Sequence, residues 1–319
     1  MSVRVLSEHD VYRLLPVAAC IEPMEQVLAA LAREELFNPL RFVVRPPNVP
    51  TLMGLMPAHR AGANSVYSLK TVCIAPGNAA RGLDSHQGFV ALFDGETGAT
   101  RALVNAGAIT AIRTAAVTAV ATRLLARPGS TALAILGSGT QGRSHLEAMR
   151  AVLPFERVRV WSRTPGNAAK LDGVEEVATP EEAVRGADVV VTATSAREPI
   201  VERGWLAEGA HVNAVGSSIP TTRELDTATM AAASLFVDRR ESTVNEAGDY
   251  LFPMREGAIG PEHIRAEIGE LLIGSAEGRR SDGELTVFKS LGLAVEDLGA
   301  VEEVLRRAEA EGAGVEVEL

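Results

Sequence analysis

This chain is short of cysteine, aromatic residues and clustered positive charge, and each shortage closes off a class of protein. Its 319 residues include only Cys20 and Cys73. They stand apart, outside any C-x-x-C pair or His cluster at metal-ligand spacing, so neither a disulfide framework nor a metal site is expected. Both cysteines are expected to be small buried hydrophobes in a reduced compartment. Aromatic residues make up 4% of the chain and the formal net charge is -10. No basic stripe is present, so nucleic acid is not an expected partner. The N-terminus carries no signal-peptide core and no apolar run of about 18 residues is evident, which leads to the expectation of a soluble, cytoplasmic protein with no membrane partner. The chain is well supplied with apolar mass. A hydrophobic fraction of 46% over this length is enough for two domains of ordinary size.

The most informative stretch is Leu133-Ala-Ile-Leu-Gly-Ser-Gly-Thr-Gln-Gly-Arg-Ser-His145. An apolar run of strand length meets Gly137, Gly139 and Gly142 in G-x-G-x-x-G spacing, and a helical segment from Thr140 to about Val152 follows. A dinucleotide needs this arrangement. Gly137 allows the tight turn, Gly139 lets the backbone approach a pyrophosphate, and Gly142 lets the helix pack closely on the sheet. The phosphates then meet the free N–H groups and positive dipole end of the helix. A second strand, Arg157 to Trp161, ends in Trp161-Ser-Arg-Thr164. NAD-specific sites place a carboxylate there for the ribose 2′-hydroxyl. Here Ser162 and Thr164 are small donors and Arg163 can pair with a 2′-phosphate. That ending favours NADP(H), with NAD(H) as the alternative if Arg163 is only a solvated surface residue.

Strands and helices continue to alternate: Val174 to Val177, a helix opened by Thr179-Pro180, then Asp188 to Ala193, Ala210 to Val215, and Leu235 to Asp238 as the last strand. The pattern predicts a doubly wound parallel sheet. The first third differs. Glu22 to Leu36 reads as an amphipathic helix, and extended segments follow at Arg41–Arg45, Thr51–Met56, Ser65–Ile74, Gly88–Asp94 and Thr100–Asn105. The turn Asp94-Gly-Glu-Thr-Gly98 joins the last two as a hairpin, so a mixed or antiparallel sheet is expected. Ile109 to Leu125 is a long Ala/Thr-rich helix, Val295 to Ala310 is helical, and Glu309 to Leu319 is expected to fray. The dinucleotide domain, 116–291, is read as an insertion into a domain made of 1–115 and 292–319.

An enzyme using nicotinamide on a small amino or imino acid needs a cation for the carboxylate and a proton carrier near the nitrogen. Arginine suits the first by its planar fork, and lysine suits the second because burial or a neighbouring cation lowers its pKa. The candidates outside the dinucleotide domain are Arg41, Arg45, Lys70 and Arg113. Lys70 sits in the apolar run Tyr67-Ser-Leu-Lys-Thr-Val-Cys-Ile74, and is either snorkelling to the surface or placed for chemistry. Arg113 lies on a small-residue helix and is either a solvent-facing arginine or a tightly packed one. His86 is read as a loop residue.

Together these pieces resemble the ornithine cyclodeaminase/μ-crystallin family. The matching runs include Gly54-Leu-Met-Pro-Ala58, Leu69-Lys-Thr71, Ser85-His-Gln87, Ala111-Ile-Arg-Thr-Ala-Ala-Val117, Ile135-Leu-Gly-Ser-Gly-Thr-Gln141, Trp161-Ser-Arg-Thr164, Asn213-Ala-Val-Gly216 and Val287 to Asp297. The resemblance implies an α/β architecture in which a Rossmann domain is inserted into an α+β substrate and dimerisation domain, hence a homodimer. It also implies that Lys70 transfers the proton and that Arg41, placed by its spacing to Leu-Met-Pro-Ala, and Arg113 hold the substrate carboxylate. Thr114, Gly137, Gly139, Thr140, Gln141, Gly142, Ser162, Arg163 and Thr164 would bind the cofactor, with Ser85 and His86 bordering the same cleft.

Two departures sharpen the expectation. Cyclodeaminases of this family carry an Asp where this chain has Ser218, and a Glu where it has Gly54. A serine cannot pair with an ammonium or act as a carboxylate base, so the resemblance turns toward the ketimine reductases that use NADPH. Ser218 is kept as a substrate-binding candidate. The expected activity is NAD(P)H-dependent reduction of a small α-imino acid. The alternatives are a cyclodeaminase, an alanine- or iminosuccinate-type amino-acid dehydrogenase, or a dinucleotide-dependent small-molecule binding protein.

Overall fold

Period-two alternation in the first third and strand–helix alternation after it give rise to separate units. The computed structural model describes residues 2–318. Its units are Met1–Arg113 with Leu293–Leu319, and Thr114–Gly292. The first opens with β1 (Ser2–Leu6), α1 (Glu8–Leu14) and α2 (Val17–Ala32). It continues through β2 (Leu36–Phe37), β3 (Phe42–Val44), β4 (Leu52–Arg60), β5 (Val66–Ile74), β6 (His86–Asp94) and β7 (Thr100–Asn105) into α3 (Ala106–Leu125). A capping box between Ser7 and Asp10 starts α1. The amphipathic helix expected at Glu22–Leu36 is α2. It begins earlier, tolerates Pro23, and ends before Leu36, which pairs in β2 instead. Along β5, Val66, Ser68, Lys70 and Val72 face inward, while Tyr67 and Cys73 face outward. Cys73 is therefore exposed, contrary to expectation, because strand parity places it opposite Val72; Cys20 is buried.

The second unit carries β8 (Ala132–Leu136), α4 (Thr140–Val152), β9 (Arg157–Trp161), β10 (Glu175–Val177), α5 (Pro180–Val184), β11 (Val189–Thr192) and β12 (His211–Ala214). Then come α6 (Thr227–Ala232), β13 (Ser234–Val237), α7 (Arg240–Glu246), α8 (Gly248–Arg255), β14 (Ile264–Glu267), α9 (Ile268–Leu272) and β15 (Thr286–Lys289). All are parallel, in the order β10-β9-β8-β11-β12-β15-β13-β14. The order runs outward in both directions from β8 and β11, which is the doubly wound plan, with its switch point beside the glycine turn after β8. The strand at Leu235–Asp238 is not the last. β14 and β15 follow, and β15 sits between β12 and β13. Leu136, Val190, Val212, Leu235 and Val287 share the core beneath.

The chain returns to the first unit with α10 (Ala294–Glu311) and β16 (Val315–Glu318). The sheet there runs β16-β1-β7-β6-β5-β4-β2, with β3 also on β4. It is mixed: β1 is parallel to β7 and the β4–β7 meander is antiparallel. The expected hairpin turn is held by Asp94, whose carboxylate accepts from Thr97 N and Oγ1 at 2.8 and 2.7 Å. The tail does not fray. Gly312 ends α10 in the left-handed region at φ 64°, and β16 pairs antiparallel with β1 from Val315 to Glu318. α10 packs on β4, β5 and β6 and on α2. Contrary to the sequence reading, α3 is long and apolar enough to cross a membrane, but 83% of that window is buried, as in the core helix of a globular fold.

Candidate active site

The glycine turn shows why each glycine stands where it does. Gly137 adopts φ 118°, and a Cβ there would fall on the Ala193 carbonyl oxygen. A Cβ on Gly142 would fall on the Gly137 carbonyl oxygen, so this glycine packs α4 onto the turn itself. Gly139 differs, because nothing lies within 4 Å of its Cβ position. It is the N-cap of α4, and no side chain caps that helix and no acidic residue occupies its first turn. Open space beside uncapped N–H groups fits a pyrophosphate. Thr140 and Gln141 supply the first turn, and Gln141 Oε1 is buried without a hydrogen-bond partner. Gly137 N donates to Trp161 O at 2.9 Å, and the Ser138 hydroxyl donates to Ser162 Oγ at 2.8 Å, so the end of β9 is tied to the turn. Arg163 and Thr164 follow, exposed. No carboxylate pairs with Arg163 among the described residues.

The other constellation lies in the first unit. Lys70, at the middle of β5, is 4% exposed, and so is Arg113 on α3. Neither snorkels to solvent. Both bond one oxygen: Lys70 Nζ donates to Asp297 Oδ1 at 3.2 Å and Arg113 Nε donates to it at 2.9 Å. Arg113 Nη1 donates to Glu296 Oε2 at 2.8 Å. The acids belong to the first turn of α10, whose start is held by Asn38 Oδ1 accepting from Val295 N at 3.0 Å. Burial lowers the Lys70 pKa to about 8; Asp297 opposes this, while Arg113 and Arg41 add to it. Burial also raises the neighbouring Cys20 thiol to about 12. Arg41 is half-buried just before β3. His86 is the first residue of β6, not a loop residue. It is half-exposed, with Nδ1 2.9 Å from Ser85 Oγ. Partial burial lowers its pKa, against Asp84 and with Lys70.

The structure thus gathers Lys70 and Arg113 on one carboxylate, with Arg41 and His86 near enough to act on Lys70. Thr114 is buried on α3, its carbonyl accepting from the Thr118 hydroxyl at 2.9 Å. Ser218 is half-buried on the loop after β12. That loop is organised by Glu224, which the sequence reading passed over. Its fully buried carboxylate accepts from Thr192 Oγ1 (2.7 Å), Thr194 N (2.8 Å), Thr194 Oγ1 (2.7 Å) and Gly216 N (2.7 Å). Glu296 and Asp297 were passed over too. The signal was available, since two adjacent acids interrupt the apolar run Leu291 to Leu298. Among the described residues no group of His, Cys, Asp and Glu could hold a metal.

Known proteins share this architecture. The chain is 42% identical over 288 residues to the ketimine reductase mu-crystallin of Mus musculus, covering 88% of this chain and 89% of the other. The Thermococcus litoralis Delta(1)-pyrroline-2-carboxylate reductase in complex with NADH and L-proline superposes with a TM-score of 0.94 at 35% identity, over 99% of this chain and 100% of that one. An archaeal alanine dehydrogenase dimer with bound NAD also gives 0.94, at 30% identity and over 100% of both chains. The model of the ornithine cyclodeaminase/mu-crystallin family matches residues 1–312, and this chain belongs to that family.

Proposed function

We propose that this protein is an NAD(P)H-dependent reductase of small α-imino acids, acting on a cyclic ketimine such as Δ1-pyrroline-2-carboxylate. The observation that carries the reading is Lys70: a buried ammonium, paired with Asp297, whose pKa is brought down to about 8. A proton donor near neutrality suits general acid catalysis. A reduced nicotinamide, when bound, supplies the hydride. Arg41 and Arg113 hold the carboxylate and fix the face of the imine that is presented. Lys70 keeps the nitrogen protonated or supplies its proton, so imine, hydride and proton together give the amine. Gly137, Gly139, Thr140, Gln141 and Gly142 cradle the pyrophosphate. Ser162, Arg163 and Thr164 receive the adenosine ribose, and the exposed Arg163 favours NADP(H) over NAD(H). Ser218, in place of a carboxylate, favours an imine over a diamine.

The outward face of the first unit's sheet supports a homodimer. Met53, Tyr67 and Phe89 are exposed on it, and Phe42 is exposed on β3. The related alanine dehydrogenase is itself a dimer.

The test is a substrate panel read by NADPH or NADH oxidation. NADPH oxidation with Δ1-pyrroline-2-carboxylate or Δ1-piperideine-2-carboxylate is expected. Activity only with pyruvate or oxaloacetate plus ammonia would make the protein an amino-acid dehydrogenase. Ammonia release from ornithine without net oxidation would make it a cyclodeaminase. Binding of dinucleotide and ligand without turnover would make it a binding protein.

A further inference from the structure

The two acids at the start of α10 are buried far beyond what a helix N-terminus needs. Acidic residues commonly occupy a first turn, where the helix dipole favours them, but they do so in solvent. Glu296 and Asp297 are 0% and 1% exposed. Their carboxylates bond the side chains of Lys70 and Arg113. Asp297 spends a single oxygen on two cations, and its Oδ2 is buried with no hydrogen-bond partner. An unsatisfied buried acceptor is costly, and here it lies beside two buried cations that share the other oxygen.

We propose that Asp297 is the positioning residue for Lys70: it aims the ammonium and keeps it charged inside an apolar wall, and it fixes Arg113 through the same oxygen. This rests on the reading of Lys70 as the proton donor. The balance is set by the groups facing Lys70. Arg113 from α3, Arg41 from the segment before β3, and burial itself favour the neutral amine. Burial lowers the pKa of His86 on β6, so this ring adds less positive charge beside Lys70 than an ordinary imidazole would. Glu296 is committed to Arg113 Nη1. Asp297 supplies the negative charge that bonds Lys70 directly. A neutral Lys70 cannot protonate an imine nitrogen, so losing the Asp297 charge makes the donor fail at lower pH. The sign is fixed: wild-type activity falls as pH rises through about 8, and removal of Asp297 moves that fall downward.

Asp297→Asn keeps the shape and removes the charge. The chain has three lysines, Lys70, Lys170 and Lys289, so lysine labelled with carbon-13 at Cε gives a short NMR spectrum in which Lys70→Arg identifies the Lys70 signal. Two curves are compared between wild type and Asp297→Asn: the Lys70 titration and the alkaline limb of kcat/KM with Δ1-pyrroline-2-carboxylate. Both are expected to move down by about one pH unit or more, with partial return in Asp297→Glu and with the Lys170 and Lys289 signals in place. A rate loss equal at every pH, with an unmoved Lys70 titration, would overturn the proposal and leave Asp297 a packing residue. If wild type does not turn over the imine, the reductase reading fails by itself. The Lys70 titration still decides what Asp297 does.

Discussion

Lys70 and Lys289 are both buried on β-strands, one in each unit, and their partners differ in kind. Lys289 Nζ donates to the Ala214 carbonyl at 3.1 Å and lies 3.0 Å from Asp249 Oδ2, a distance for an ion pair but off hydrogen-bond angle. Asp249 Oδ1 in turn accepts from Glu224 N and Leu225 N at 2.8 and 3.0 Å. Glu224 accepts from Thr194 N and Gly216 N. Backbone thus enters at every step, and the network clamps the ends of β11, β12 and β15. Lys70 Nζ instead bonds a side chain, Asp297 Oδ1, with no backbone partner among the described residues. A buried charge tied to backbone secures the fold. In the proposed reading, the Lys70 charge, bonded by a side chain rather than by backbone, is arranged for something that arrives later.

The comparison breaks most visibly if Lys289 proves dispensable. Lys289→Met leaves Asp249 and Glu224 as buried, uncompensated acids. Removing one partner of a buried pair costs about 3–5 kcal/mol, so a large drop in the denaturation midpoint is expected, measured by circular dichroism. A midpoint within error of wild type would mean the network is not a clamp.

The glycines sharpen the same distinction inside one turn. Gly142→Ala places a methyl on the Gly137 carbonyl, so both stability and dinucleotide binding should suffer, by about 1–3 kcal/mol of overpacking. Gly139→Ala meets no protein atom. Its midpoint without ligand should stay unchanged while the NADPH Kd rises about tenfold or more. Fluorescence titration beside thermal melts separates the two. An effect confined to one dinucleotide is expected at the end of β9. Arg163→Ala should cost about one charged hydrogen bond, roughly 1.5–3 kcal/mol, for NADPH and little for NADH. An equal loss for both would remove the 2′-phosphate role.

How much of this was legible in the sequence follows from how local each signal is. The glycine turn, β8 to β12 and the Thr179-Pro180 helix start are written in neighbouring residues, and they stand where the spacing places them. β15 was missed because four residues ending in lysine do not look like an interior strand; only the Ala214 carbonyl and Asp249 explain Lys289 there. β16 was missed because Val-Glu-Val-Glu beside glycines reads as a tail until β1 is known to pair with it. Lys70 and Arg113 were noticed as polar residues in apolar surroundings. Their shared acid was not, because Asp297 is 227 positions from Lys70 and the ion pair exists only in the folded chain.

The central claim is that the Lys70 cluster exists for chemistry, and the most direct measurement is a single-turnover experiment on Lys70→Ala. The variant, saturated with NADPH, is mixed with Δ1-pyrroline-2-carboxylate and the nicotinamide absorbance is followed. The expected result is wild-type NADPH affinity, a folded protein by circular dichroism, and hydride transfer slowed by about 10²–10⁴-fold. Transfer at the wild-type rate would contradict the account.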